Sequence, residues 1–185
     1  MKTWLVLLAT VVGTSGCYDP ATFVYGKSLD DLTLQFHGPD EGIYPDQSVL
    51  EDPNNPFAGT PPGEETKWVI ESGASSVAGF YAWATLLARA PGGEAQFYVG
   101  GNLLGVYQSG LAPQEVLPQV REQAIRAYQS VLDNFPEAVT YDASGTIAYE
   151  LVTPAYKGIV EMGGTVKGGW VLLSTANGQE RAVKP

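Results

Sequence analysis

The side chains of this sequence that could do chemistry are carboxylates and little else. Glu71, Glu94, Glu122, Glu150 and Glu161 lie in its C-terminal two thirds, and two such groups held about 5–10 Å apart are what glycosidic-bond hydrolysis requires. Nothing in the spacing selects a pair, and each reads more simply as a solvated surface acid. The one histidine, His37, stands in a proline-rich stretch, which leaves no second imidazole for a relay or a multi-histidine metal site. Gly-x-Ser-x-Gly, Ser-x-x-Lys and His-Glu-x-x-His are all absent. The single cysteine, Cys17, excludes an internal disulfide. The sequence therefore names no catalytic residue, no metal-ligand set and no cofactor.

The other residue type suited to recognition is aromatic. Tyr and Trp faces can stack on sugar rings or on a partner chain. Trp68 and Tyr98, which fall off the main helical stripes, are the candidate binding residues, whereas Tyr81 falls on a stripe and reads as core.

Twenty acidic against ten basic residues in 185 give a net charge of −10. Without a basic cluster to displace counterions, a nucleic-acid partner is not expected. Ala21 to Ser28 satisfies a permissive phosphate-loop spacing, but the bulky Phe23, Val24 and Tyr25 occupy positions where small residues must let amides curl round a phosphate. It reads as a short extended segment, and no nucleotide is expected.

The N-terminus has the layout of an export signal: Met1-Lys2, an apolar run from Trp4 to Val12, then Gly13-Thr14-Ser15-Gly16. A run of nine residues is too short for about 30 Å of hydrocarbon, so residues 1–16 read as a cleaved signal peptide. Ser15-Gly16-Cys17 resembles the lipobox of bacterial lipoproteins, although Thr14 stands where that family usually has Leu. The resemblance implies that Cys17 becomes the acylated first residue of a membrane-anchored envelope protein, with palmitate among its chains. Tyr18, rather than Asp, after the cysteine implies the outer membrane or cell surface. Thr14 and Gly16 also suit ordinary signal peptidase, which would give a soluble periplasmic or secreted product.

Residues 18–65 carry ten acids, one base and seven prolines. Prolines remove backbone donors and disfavour helix at the preceding residue, and like charges repel. Residues 17–65 are therefore expected to form an acidic, largely disordered tether, with Tyr44 and Phe57 able to dock on the folded part. Asp40, Glu41, Asp46, Glu51 and Asp52 could offer oxygens to calcium, but the Asp-x-Asp-x-Asp-Gly framework is missing.

Residues 66–185 are expected to form one α+β domain. Val77, Phe80, Tyr81, Ala84, Leu87 and Ala88 recur at helical spacing, with Ser75 and Ser76 as caps and Pro91-Gly92-Gly93 as the stop. A second helix spans Glu94 to Gln108, with Phe97, Gly101, Leu104, Gly105 and Gln108 on one face. A third spans Pro118 to Asn134 with Val120, Ala124, Ala127 or Tyr128, Val131 and Phe135 inward, and a short fourth starts at a Thr153 cap and stops at Gly163. Phe97-x-x-Gly100-Gly101-x-x-Leu104 and Ala124-x-x-x-Tyr128-x-x-Val131-x-x-x-x-Pro136 resemble the two helix signatures of tetratricopeptide repeats. That resemblance implies antiparallel helix packing and a peptide-binding groove.

Trp170 to Thr175, Asn177-Gly178 and Gln179 to Val183 read as a hairpin with both turn residues at positive φ. Val139 to Tyr141 and Ile147 to Leu151 are its expected sheet partners, or else one interrupted helix. The fold class is thus mainly antiparallel helices with a small C-terminal antiparallel sheet. The functional reading is a lipid-anchored bacterial envelope protein, a non-enzymatic binding or scaffold module for an envelope protein or peptide. The alternative is a secreted carboxylate-dependent hydrolase of cell-wall or other polysaccharide.

Overall fold

The computed structural model describes residues 42–67, 77–109 and 113–185. The export segment, Cys17, the 21–28 segment, His37, Trp68, Glu71 and the Ser75/Ser76 caps lie outside them. The described elements run in the order α1 (Val77–Arg89), α2 (Gly93–Gln108), α3 (Leu117–Asn134), β1 (Val139–Tyr141), β2 (Ala148–Glu150), α4 (Val152–Glu161), β3 (Val171–Ser174) and β4 (Glu180–Val183). A 3-10 turn, Gln47–Leu50, precedes α1. This is the α+β class read from the sequence, with the four helices within a residue or two of their expected ends.

The helices are antiparallel neighbours. Trp83 of α1 stacks on Tyr98 of α2, Gly93 at the start of α2 meets Phe135 and Ala138 past the end of α3, and Arg121 Nε early in α3 donates to Met162 O just past α4 at 2.5 Å. Their shared core centres on Tyr81, Phe80, Leu87, Leu103, Val131 and Ile159. α4 ends as its glycines require: Gly163 N–H bonds Val160 O and Gly164 N–H bonds Ile159 O, with Gly163 at φ +67, which only glycine adopts without strain. Its start differs from expectation. The N-cap is Leu151, and the Glu150 carboxylate accepts the Thr153 N–H at 2.9 Å. The Thr153 hydroxyl is used elsewhere, accepting the buried Ala182 N–H at 2.9 Å.

The buried face of α2 is also rotated from the expected one. Gln96, Val99, Gly100, Leu103 and Val106 are buried, while Phe97, Gly101, Leu104 and Gly105 are only half-buried. α2 is packed by α1, α3 and α4, so most of its circumference is covered and a single apolar stripe no longer reports its inner face.

The largest correction concerns the tether. Residues 42–65 are a strap across α1, with Tyr44, Val49 and Phe57 in the core. Its acids and amides replace the secondary structure that prolines forbid. Asp46 Oδ1 accepts Ser48 N–H at 2.9 Å, Asp52 Oδ1 accepts Asn54 N–H at 2.8 Å and Asp52 Oδ2 accepts the Tyr81 hydroxyl at 3.0 Å. Asn55 Nδ2 donates to Val49 O and to Thr85 Oγ1 at 2.7 and 2.8 Å. Arg89 fastens the far end, donating to Glu65 Oε2 at 2.6 Å, Thr60 O at 2.8 Å and Phe57 O at 3.1 Å. The strap explains why α1 is buried on nearly every side. Residues 42–185 carry fifteen acids and eight bases, so the packed body includes acids that the sequence reading assigned to the tether.

Gln96 joins strap, α2 and α3. It is fully buried, and its Nε2 donates to Tyr44 O and, at 3.0 Å, to Ala127 O.

The strands form two separate two-stranded sheets. β1 pairs antiparallel with β2, Thr140 opposite Tyr149, and β3 pairs with β4, Leu173 opposite Arg181. The expected single sheet is absent among the described residues because each hairpin finds its partner in helices, β1 against α2 and β4 against α4. The β3–β4 turn also differs from expectation. Gly178 N–H bonds Thr175 O and Thr175 N–H bonds Gln179 O, and Gly178 alone takes positive φ, +79, while Asn177 does not. This is the longer hairpin loop, with glycine as the left-handed bulge residue.

Candidate functional site

Strand alternation sets which side chains share a face. In β1–β2 the cross-strand pairs Val139/Glu150 and Tyr141/Ala148 share one face, and Thr140/Tyr149 the other. The second face turns to the start of α2, where Thr140 Oγ1 donates to Glu94 Oε1 at 2.5 Å. In β3–β4, Leu172 and Ala182 share the inner face, with Ala182 buried, and Val171, Leu173, Arg181 and Val183 share the outer one. Between Val139/Glu150 and Arg181/Val183 lies an open cleft of about 430 Å³, with Ala138, Val152 and Trp170 also lining it.

The apolar side chains here are unusually open. Of seven large hydrophobic residues exposed among the described ones, six belong to the hairpins: Val139, Tyr141, Ile147, Tyr149, Val171 and Leu173. Tyr141 is 59% exposed and Leu173 53%. Charge is divided by wall, with Glu137 and Glu150 on the first and Arg181 and Lys184 on the second. Among the described residues Glu137, Arg181 and Lys184 have no ion-pair partner.

The tip of β1–β2 is rigidly built. Asp142 Oδ1 accepts the N–H groups of Thr146 and Ile147 at 2.8 and 2.9 Å, and Ser144 Oγ donates to Oδ2 at 2.6 Å. Those bonds, led by that from Ile147, hold the Asp142 carboxyl down at about 2, since each favours the ionised form.

Of the carboxylates singled out as possible acid and base, the four among the described residues are each tied into a different local contact. Glu94 accepts from Thr140, Glu150 caps α4, Glu122 pairs with Arg126 at 3.5 Å and Glu161 accepts from Gln108 Nε2 at 2.6 Å. No group of three or more His, Cys, Asp and Glu placed to hold a metal occurs among the described residues. Of the acids weighed for calcium, Asp40 and Glu41 lie outside the described residues, while Asp46 is engaged in the strap as a cap and Asp52 as acceptor for Tyr81.

Of the two candidate aromatic residues, Tyr98 is half-buried on α2. Its ring stacks on Trp83 at 4.6 Å and 22° and meets Phe97 edge-on at 5.6 Å, so one face is taken within the fold. The hairpin face was not singled out as a site. Its signal in the sequence was present: Val139, Tyr141, Val171 and Leu173 alternate with residues that turn inward or to α2, but either face of such an alternation could have been the buried one.

A second depression of about 560 Å³ lies along α3 beside Tyr44. Its charges, Arg126 and Lys167 against Glu122 and Asp133, balance without a preferred sign. Burial pushes the Tyr44 hydroxyl well above its ordinary pKa despite the nearby Arg126.

No helix among the described residues is long and apolar enough to cross a membrane. No protein-family model matches this chain, and neither a curated protein nor a solved structure matches it.

Proposed function

We propose that this chain is an exported bacterial envelope protein, anchored through lipid on Cys17, whose α+β body is a non-enzymatic binding or scaffold module. The binding reading is carried by one observation: six of the seven exposed large hydrophobic side chains among the described residues sit on the two hairpins. Four of the six, Val139, Tyr141, Val171 and Leu173, lie on the strand faces that also carry Glu150 and Arg181, and exposed apolar surface of this kind marks an interaction site more often than a solvated one. A protein partner suits it best, because these faces combine aliphatic side chains and Tyr141 with the charged residues that line the cleft beside them.

The anchor rests on the lipobox-like Ser15-Gly16-Cys17 alone. Several acyl chains would hold the body at a membrane stably, where one chain gives only marginal binding.

Cells fed radiolabelled palmitate test the anchor, and recovery of bound protein from the detergent-solubilised envelope tests the module. Wild type should be labelled and Cys17→Ala should not. Wild type should retain a bound protein that a Tyr141→Ser/Leu173→Ser variant loses. An unlabelled wild type removes the anchor, and equal recovery by both chains removes the hairpin site.

A further inference from the structure

We propose that the partner of the hairpin cleft is a second copy of this chain, docked about a two-fold axis so that the acidic wall of each copy meets the basic wall of the other. The proposal rests on the binding-module reading and names its partner.

The argument is one of charge and chemistry. The outward strand faces carry apolar side chains, Val139 and Tyr141 on one hairpin and Val171 and Leu173 on the other, all more than a third exposed. The cleft between the hairpins is lined by Glu137 and Glu150 on one wall and Arg181 and Lys184 on the other, and among the described residues no ion pair joins the two walls within the chain. A partner of one charge sign would be attracted by one wall and repelled by the other, and like charges brought together cost several kcal/mol. A two-fold interface pairs each patch with its symmetry equivalent, so the residue that contacts a given neighbour is contacted by it in return. The divided walls are self-complementary under that operation, and the exposed apolar side chains of the two copies cover each other.

The geometry also suits a rigid docking surface. Both walls are held by the body: Ala182 N–H is fixed to Thr153 Oγ1, Leu151 N–H to Ala138 O, and Glu150 to the start of α4. Little side-chain or backbone ordering is left to oppose association.

The test uses the full chain in the cells that export it, with a photo-crosslinking amino acid at Leu173 and two differently tagged copies expressed together. Irradiation should yield a product of twice the chain mass carrying both tags. Arg181→Glu/Lys184→Glu on both copies should reduce it at least about tenfold, the effect of about 1.4 kcal/mol. Pairing that variant with a Glu137→Lys/Glu150→Gln copy should restore it, since each reversed wall again meets an opposite one; the amide introduced in place of the Glu150 carboxylate keeps an oxygen for the Thr153 N–H. A product joining one tag to a different protein overturns self-association and leaves the binding-module reading standing. No product at Leu173 overturns both. Undiminished dual-tag product from the Arg181→Glu/Lys184→Glu copies overturns the wall-against-wall docking.

Discussion

Gly158 of α4 lies directly against the ring of Tyr128 of α3: a Cβ at position 158 would stand 2.5 Å from Tyr128 Cε2. The opposite edge of the same ring is met by Gly100 of α2, where a Cβ would stand 2.8 Å from Cδ1. Phe97 approaches at 5.4 Å between ring centres. One tyrosine thus fills the space that two glycines open between three helices, which is why glycine is kept inside α2 and α4 although it weakens helices.

Replacing either glycine forces the ring or a helix to move. Gly158→Ala and Gly100→Ala should each lower the urea-unfolding free energy by about 1–3 kcal/mol, the usual cost of overpacking. Gly101→Ala is the contrast, because its Cβ would meet only the Tyr128 hydroxyl at 3.7 Å, an ordinary contact. It should gain roughly 0.5–1 kcal/mol, since alanine loses less backbone entropy than glycine in a helix. Equal effects at 100 and 101 would show that the ring sits elsewhere.

Arg89 holds the strap, and the side chain of Glu65 beneath it is only 2% exposed. Arg89→Ala leaves that carboxylate without its cation, with the Gly63 N–H still donating to Oε2 at 3.2 Å, and takes the guanidinium from the carbonyls of Phe57 and Thr60. Removing one member of a buried pair costs about 3–5 kcal/mol. Proteolysis followed by mass spectrometry should find residues 42–67 resistant in the wild type and cut early in Arg89→Ala. A wild type clipped first within 42–67 would return that stretch to a tether.

Burial pushes the Tyr128 hydroxyl from 10 up to about 12, with the charge of Glu161 adding to it. A pKa raised in the folded state means that its contribution to stability is complete below pH 10 and is lost as pH rises from 10 to 12, where the unfolded chain has released the proton and the folded chain has not. The two-unit shift corresponds to roughly 2–3 kcal/mol. Tyr128→Phe keeps the ring between the glycines and should flatten the decline of unfolding free energy over that window. Parallel declines in both proteins would place the hydroxyl in water.

Thr153 ties the β3–β4 hairpin to α4. Thr153→Val removes the acceptor of the buried Ala182 N–H, at a cost of about 1–3 kcal/mol for an unsatisfied buried donor. Hydrogen exchange should accelerate at Ala182 while the Leu151 amide, bonded to Ala138 O in the other hairpin, keeps its rate. Faster exchange at both would mean that the two hairpins open as one unit.

The hairpin site was half legible. Alternation announced the strands and glycine their turns, but a period of two says that a strand has two unlike faces and not which neighbour covers either one. Only the docking of Ala182 on Thr153 and of Thr140 on Glu94 left Val139, Tyr141, Val171 and Leu173 outward. Tyr98 showed the opposite limit: off the expected stripe of α2, it is nonetheless stacked on Trp83.

The sequence by itself determined the α+β class, the four helices and the β3–β4 hairpin, because periodicity, proline and glycine act on the chain within a few residues and need no distant partner; it left residues 139–151 open between two strands and one interrupted helix. It also determined the separation of acid from base along the chain. What only the tertiary structure decided was where the acid-rich, proline-rich stretch belongs. A segment without periodicity looks unable to fold when its own residues must supply its hydrogen bonds. In the folded protein, Tyr81, Thr85 and Arg89 of α1 bond to Asp52, Asn55 and Glu65, and partners that far along the chain are invisible to any local pattern.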